Sequence, residues 1–408
     1  LVNWILKYPK VKQQLNLLSS RNDPYCYDRV SPFIKRETTK GKVPGKARAI
    51  QAYYKPCVGV EKGPEYYAFQ KAIGQATDER PLYIGNKTIH ITIASGMNHG
   101  DIGKWMDKVT SHNGKLQFYE RDGKSWDATM RYEHLDMVNE LMYQCDSELA
   151  KHNRKCYDAY GKYKDKMGNK IRYKLIGTRK SGHQDTSSGN SWINAQIALS
   201  AALLLSGELT IYIIVMGDDM LMAIIGDTDE NYVEILKAYE RKTGITPEAR
   251  GFSNVLDVTF ISACWYPRVD GTYAFGPIIG KQLIGLFWTV KPICDKMTKV
   301  YTSSVARAFL PSFEDCPVME EFLRRQITTS SEMEIDKYLK KLVPMKGIDW
   351  SFYFEAKYQL AAEDCSKVNE YLRTLPRQPL MIVNPVMDKI IDVDTADISV
   401  RPLCTLSR

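Results

Sequence analysis

The 408 residues include nine cysteines, but no CxxC pair and no regular cysteine spacing. That excludes a disulfide framework and a zinc ribbon, and it favours a reducing compartment. Cys145, His152 and Cys156 alone resemble ligand spacing; with no fourth partner evident, they read as small residues on helix faces. No signal peptide is expected from this sequence. The best membrane candidate, 193–205, is 13 residues long and carries Asn194 and Gln196, too short and too polar to span a bilayer. Neither an internal repeat nor a low-complexity tract stands out, so one compact, subdivided unit is expected. The chain opens on Leu1, so a longer polypeptide is expected, with any membrane anchor in its remainder.

What is present is a globular composition, 44% hydrophobic and 25% charged, long enough to bury a large core. The net charge of +8 admits a polyanionic partner without proving one. The most informative stretch is 210–225, TIYIIVMGDDMLMAII. Two β-branched apolar runs flank Gly217-Asp218-Asp219, the pattern of a buried hairpin with a tight turn. Adjacent carboxylates at the tip of an apolar hairpin carry an electrostatic cost that a divalent cation would offset. Turn preference alone explains one acid as readily as two, so company elsewhere decides the matter.

That company is found in four places. Residues 33–51, FIKRETTKGKVPGKARAIQ, set Lys35, Arg36, Lys40, Lys42, Lys46 and Arg48 against Glu37 alone. Two extended pieces, 33–37 and 47–51, would make a basic β-ribbon suited to phosphates, or else a solvated hairpin. A strand at 116–121 runs into Asp122-Gly-Lys-Ser-Trp-Asp127, followed by a helix with apolar Leu135, Val138, Leu141, Met142 and Cys145. Capping by Ser125 or Asp127 is the plain alternative for these acids. Residues 151–180 hold eleven Lys or Arg against Asp158 and Asp165, with tyrosines interleaved and a turn at Gly168-Asn169. Such ribbons track single-stranded nucleic acid, charge on phosphate and ring on base, or form a soluble insertion. Ser181-Gly182 then leads through Thr186 to Asn190, placing two polar groups four apart on one helix face, able to hydrogen-bond ribose hydroxyls.

Elsewhere the pattern predicts a helix within 1–30 broken at 19–24, and a helix capped by Asp227 or Thr228 and stopped by Gly244. It further predicts a hairpin from 257–264 and 272–275, a helical region at 281–375 and an extended tail at 376–408.

Together, FIKRE…KARAIQ, Asp122-x4-Asp127, SG-x3-T-x3-N and GDD stand in an order that resembles the RNA-dependent RNA polymerases of positive-strand RNA viruses. The first and third blocks are most similar to the noda-like and tombus-like enzymes, with the nodavirus replicase polymerase domain as the nearest likeness. The resemblance implies an α+β right-hand fold with fingers, palm and thumb and with the chemistry on the palm's antiparallel sheet. It would place fingers at 1–115, palm at 116–135, a fingers insertion at 136–180, palm at 181–280, thumb at 281–375 and a tail at 376–408. Two Mg²⁺ ions, or Mn²⁺ in substitution, would be held by Asp122, Asp218 and Asp219. Asp127, supported by Asn190 and Thr186, would accept the ribose 2′-hydroxyl and so favour ribonucleotides. Lys35, Arg36, Lys46 and Arg48 would hold the triphosphate, and Ser181-Gly182 would form a mobile loop under the template.

Partners would be template and nascent RNA, NTPs and further replicase parts N-terminal to this chain. The setting would be membrane-associated replication complexes in the host cytoplasm, on mitochondrial outer membranes if nodavirus-like. Some features depart from the pattern. Trp126 is bulky for its place, and both Lys242 and Lys237 are candidates for protonating pyrophosphate. Ser19-Ser20-Arg21 is the one candidate for the template-entry motif. A reverse transcriptase and a non-catalytic RNA-binding scaffold are the competing readings. Asp127 and Gly217 speak against the first, and three costly carboxylates kept together speak against the second.

Overall fold

The computed structural model describes residues 28–34, 49–53, 62–76, 80–165, 167–289, 293–331, 333, 342–376 and 382–396. It is a mixed α+β protein, and its described residues cluster into two compact units. Among the described residues, the first draws on those up to 34 and within 49–96 and 113–253, and the second on those within 97–112 and from 254 onward.

The strands of the first unit are β1 Arg29–Ile34, β2 Ala49–Tyr53, β3 Leu82–Ile84, β4 Lys87–Ile93, β5 Leu116–Gly123, β6 Ala159–Lys164, β7 Lys170–Leu175, β8 Leu209–Met216, β9 Asp219–Ile225 and β10 Pro247–Phe252. They form a four-stranded sheet of order β2-β1-β6-β7 and a six-stranded sheet of order β10-β5-β9-β8-β4-β3. The expected hairpin is the centre of the larger sheet. Gly217 and Asp218 form its two-residue loop, because Met216 pairs with Asp219. Gly217 has φ +66°, a left-handed conformation that glycine adopts without steric cost.

The apolar runs are buried on both sheet faces, and alternation sorts them. Ile211, Ile213 and Val215 sit opposite Ile224, Met222 and Met220 and join the core shared with the helices Gly63–Ala76, Tyr132–Cys145 and Thr186–Ala202. Tyr212, Ile214, Leu221 and Ala223 are buried on the other side. β4 pairs parallel to β8, so the large sheet takes two strands from before residue 115.

The second unit has its own sheet, β11 Thr259–Phe260, β12 Ala263–Pro267 and β13 Tyr273–Pro277. Its core gathers Tyr266, Phe313, Tyr353, Tyr358 and Leu372. The helices Asp295–Phe309, Met319–Gln326, Trp350–Tyr358 and Ala362–Thr374 fall in the region read as helical.

Two expectations need correction. The tail is not simply extended: Pro385–Asp394 is a helix, with Asn384 accepting from the backbone N–H of Val386 and Met387, and with Met387 and Ile390 buried. Pro385, read as punctuation, is a helix starter at the first position, where its missing N–H costs nothing. The helix after the hairpin begins only at Tyr232, with Asn231 at the N-cap position, so neither Asp227 nor Thr228 caps it; Asp229, expected in its first turn, precedes it and accepts the Ser206 N–H at 2.9 Å. The helix expected within 1–30, Ser19-Ser20-Arg21, and Lys35, Arg36, Lys46 and Arg48 lie outside the described residues. Of the basic ribbon, the antiparallel pair β1 and β2 is described.

Ile213, fully buried between its neighbours, gives a direct test of this packing. Ile213→Ala should lower the unfolding free energy by about 2–5 kcal/mol in urea titration.

Candidate active site

Strand geometry brings the three acids together. β5 runs antiparallel to β9, with Leu116 opposite Ile225 and Arg121 opposite Met220. Asp122 and Asp219 are the next residue of each strand beyond that last pair, so they come to the same end of the sheet, with Asp218 beside Asp219 in the turn. Successive side chains point to opposite faces, so Asp122 and Asp219 share one face with Glu120, while Arg121 and Met220 point to the other. The electrostatics agree. Burial pushes the Asp219 carboxyl up to about 7, and repulsion from Asp218, Asp122 and Glu120 adds to it against the pull of Arg121.

Among the described residues, no group of three or more His, Cys, Asp or Glu side chains is arranged to hold a metal ion. The fit to divalent cations therefore rests on donor chemistry: hard carboxylate oxygens on one face, with a mutual repulsion that a cation would offset.

Beneath the turn lies a polar cluster that periodicity did not reveal. Arg121, with no side-chain exposure, pairs with an equally buried Glu240 at 3.2 Å. Its Nη2 donates to Asn194 Oδ1 at 2.5 Å and its Nη1 to the Asp218 carbonyl at 3.3 Å. The second Glu240 oxygen accepts from Tyr119 at 2.8 Å, which with burial raises the Tyr119 pKa. Asn194 Nδ2 donates to the carbonyls of Gly217 and Asp219, and the Gly217 N–H donates to Ser191 Oγ. The loop backbone is thus held from below by side-chain hydrogen bonds while its carboxylates face the other way. In the sequence, Asn194 looked like an interruption of an apolar helix and Arg121 was only the end of a strand; their partners show what they do.

The bend between Asp122 and Asp127 is built by shape. Ser125 makes no side-chain cap bond and adopts φ +54°. Trp126 is accommodated because Gly123 lacks a side chain: a Cβ there would lie 2.3 Å from the Trp126 ring. The Arg121 guanidinium lies 5.1 Å from the centroid of that ring.

The residues expected to read ribose divide into two groups. Asp127 and Asn190 are joined, Asn190 Nδ2 donating to Asp127 Oδ1 at 3.0 Å. Thr186 is directed elsewhere: its hydroxyl lies 2.9 Å from the Lys180 carbonyl and 2.8 Å from that of His183, where it shapes the entry loop. Gly182 also differs from expectation. It is not among the glycines with positive φ, and its N–H donates to the Gln51 carbonyl at 3.0 Å. A Cβ there would lie 2.8 Å from that oxygen and 2.9 Å from Ala52 Cα, so glycine serves close approach to β2 and not a bend. Ser181, beside it, is partly exposed.

Lys180 is buried, its Nζ donating to the carbonyls of Tyr157 and Thr178, and burial pushes it down to about 8. Lys237 pairs with Glu234 at 2.8 Å on its own helix, and Lys242 is exposed in that helix's last turn.

Removing one member of a buried ion pair leaves the other charge uncompensated. Glu240→Leu should therefore cost about 3–5 kcal/mol of stability, read by denaturant unfolding. Lys237→Ala, at an exposed helix pair, should cost about 0.5 kcal/mol or less in the same titration.

No curated protein matches this chain. Residues 72–238, which carry Asp122, Asp127, Asn190, Asp218 and Asp219, match the family model described as RNA dependent RNA polymerase. That match, over the segment that builds the acid-bearing sheet, supports a viral RNA-dependent RNA polymerase, a nucleotidyltransferase.

Proposed function

We propose that this chain extends an RNA 3′-hydroxyl with ribonucleotides, in replication of a positive-strand RNA genome, at the sheet face shared by Asp122, Asp218 and Asp219. The observation that supports the reading is the β5–β9 register, whose last pair, Arg121 opposite Met220, brings the next residues Asp122 and Asp219 to one end of the sheet beside the turn. In this reading the six-stranded sheet is the palm, the β2-β1-β6-β7 sheet belongs to the fingers, and the helices beyond 281 belong to the thumb.

Asp122, Asp218 and Asp219 would hold two Mg²⁺ ions, or Mn²⁺ in their place. Such ions, when bound, supply activation of the attacking oxygen and neutralisation of the departing pyrophosphate. The chain's own groups do the rest. Asp127, with one oxygen engaged by Asn190, offers the other to a 2′-hydroxyl. A 2′-deoxy sugar leaves that acceptor unpaired, and the loss discriminates against it. Lys35, Arg36, Lys46 and Arg48 would bind the triphosphate. The FIKRE…KARAIQ and SG-x3-T-x3-N blocks favour a noda-like or tombus-like polymerase.

A second surface supports the RNA partner. In the β6–β7 hairpin Tyr160 faces Lys174, Lys162 faces Arg172 and Lys164 faces Lys170, while Arg29 of β1 lies beside Tyr160. These seven side chains are exposed on one sheet face, six of them basic and the other aromatic. Lys174 lies over the Tyr160 ring at 5.7 Å. A row of cations with a stacking face suits a single strand.

Asp218→Ala should abolish primer extension with rNTPs while leaving RNA affinity within about twofold; near-normal extension by this variant in Mg²⁺ would refute the assignment. Replacing Lys162, Lys170 and Arg172 together with alanine should weaken RNA binding for every sequence tested. The slope of log affinity against log salt should fall by about 0.7 for each phosphate that these cations no longer neutralise. An unchanged slope would remove this face from the RNA path.

A further inference from the structure

We propose that Arg179 is the positioning residue for sugar selection, acting by locking the Asn190 carboxamide against Asp127. This inference rests on the reading of Asp127 as the ribose acceptor and adds the part that sets its geometry.

Arg179 reaches Asp127 by two routes. Its backbone N–H donates to the Asp127 carbonyl at 3.2 Å. Its Nε donates to Asn190 Oδ1 at 3.0 Å, and Asn190 Nδ2 donates onward to Asp127 Oδ1 at 3.0 Å. The three residues therefore close a ring.

The direction of that ring is dictated by chemistry. An asparagine amide presents an acceptor on one side and donors on the other, and either side can face a given neighbour. Arginine can only donate, and an ionised carboxylate can only accept. With Arg179 on one flank and Asp127 on the other, a single amide orientation satisfies both. It commits one oxygen of Asp127 and leaves the other for an incoming hydroxyl.

Arg179 is itself fixed from the far side. Its Nη1 meets Asp185 Oδ2 at 2.6 Å, both side chains being almost wholly buried, and Ser188 Oγ lies 3.3 Å from the other Asp185 oxygen. Gly189 provides the room: a Cβ there would lie 2.5 Å from Asp185 Oδ2 and 2.6 Å from Arg179 Nη2. A planar fork that meets a carboxylate and an amide together is an arrangement lysine cannot reproduce. Neither Arg179 nor Asp185 stands among the residues singled out from the sequence, because Arg179 precedes the SG-x3-T-x3-N pattern and Asp185 occupies one of its variable positions.

The test uses two variants that each keep Asp185 beside a cation. Arg179→Lys retains the charge but not the fork. Gly189→Ala retains every polar group, improves helix propensity and displaces the fork. Folding is verified by thermal melting, and kcat/KM is measured for an rNTP and its 2′-deoxy counterpart on one primer–template, with Asp127→Ala as reference. In both variants the preference for ribose should fall by about tenfold or more, through loss of the rNTP rate and not of the dNTP rate. A purely structural role would slow both nucleotides in proportion, and an unchanged ratio in either folded variant overturns the proposal. Should Asp127→Ala itself keep the wild-type ratio, the ribose reading fails, and the inference falls with it.

Discussion

The acid face depends on a buried guanidinium. Arg121 lies one residue before Asp122, and strand alternation sends the two side chains to opposite faces of the same sheet. Above the sheet are carboxylates that repel one another. Below it, Arg121 engages Glu240, the Asp218 carbonyl and Asn194, so each of its three nitrogens donates to an acceptor. Charge buried without partners is strongly destabilising, whereas a satisfied network is rigid. The turn can therefore carry clustered acids because its backbone is anchored from the side away from them.

The same device appears a second time along one helix. Asn190 and Asn194 lie four residues apart on the helix Thr186–Ala202, hence on one face. Each is oriented by an arginine from elsewhere in the first unit, Asn190 by Arg179 and Asn194 by Arg121. Each turns its amide donors towards the acids, Asn190 to Asp127 and Asn194 to the loop carbonyls. Each arginine is in turn paired with a buried carboxylate, Asp185 or Glu240. One helix thereby couples Asp127 to the turn of the hairpin through groups whose donor and acceptor roles permit no second arrangement. This coupling gives a physical reason for polar residues in a helix whose other members pack into the core.

Four glycines of the first unit meet two different physical demands. Gly217 supplies a left-handed turn. Gly123, Gly182 and Gly189 supply absent volume, for the Trp126 ring, the β2 backbone and the Arg179–Asp185 fork respectively. The first kind is read from a turn motif. The second is invisible until the neighbour arrives, which is why Gly182 suggested a bend and Trp126 looked out of place.

Local chemistry by itself determined much of the centre of this protein. The β-branched runs around 217–219 read as a buried hairpin, the strand into Asp122 was evident from its alternation, and the hairpin about Gly168-Asn169 was evident from its turn residues. The acids themselves were legible because adjacent carboxylates in apolar surroundings need an explanation. Tertiary structure decided what those elements do for one another. It brought Asp122 and Asp219 to one end of neighbouring strands, buried Glu240 against Arg121 across 119 residues of chain, and gave Arg179 to Asn190. It also turned Thr186 away to the loop and made a helix of the segment after Asn384. The reason is the same in each case: periodicity and turn preference act over a few residues, whereas the partner that satisfies a buried charge or donor is chosen by packing between segments distant in the chain.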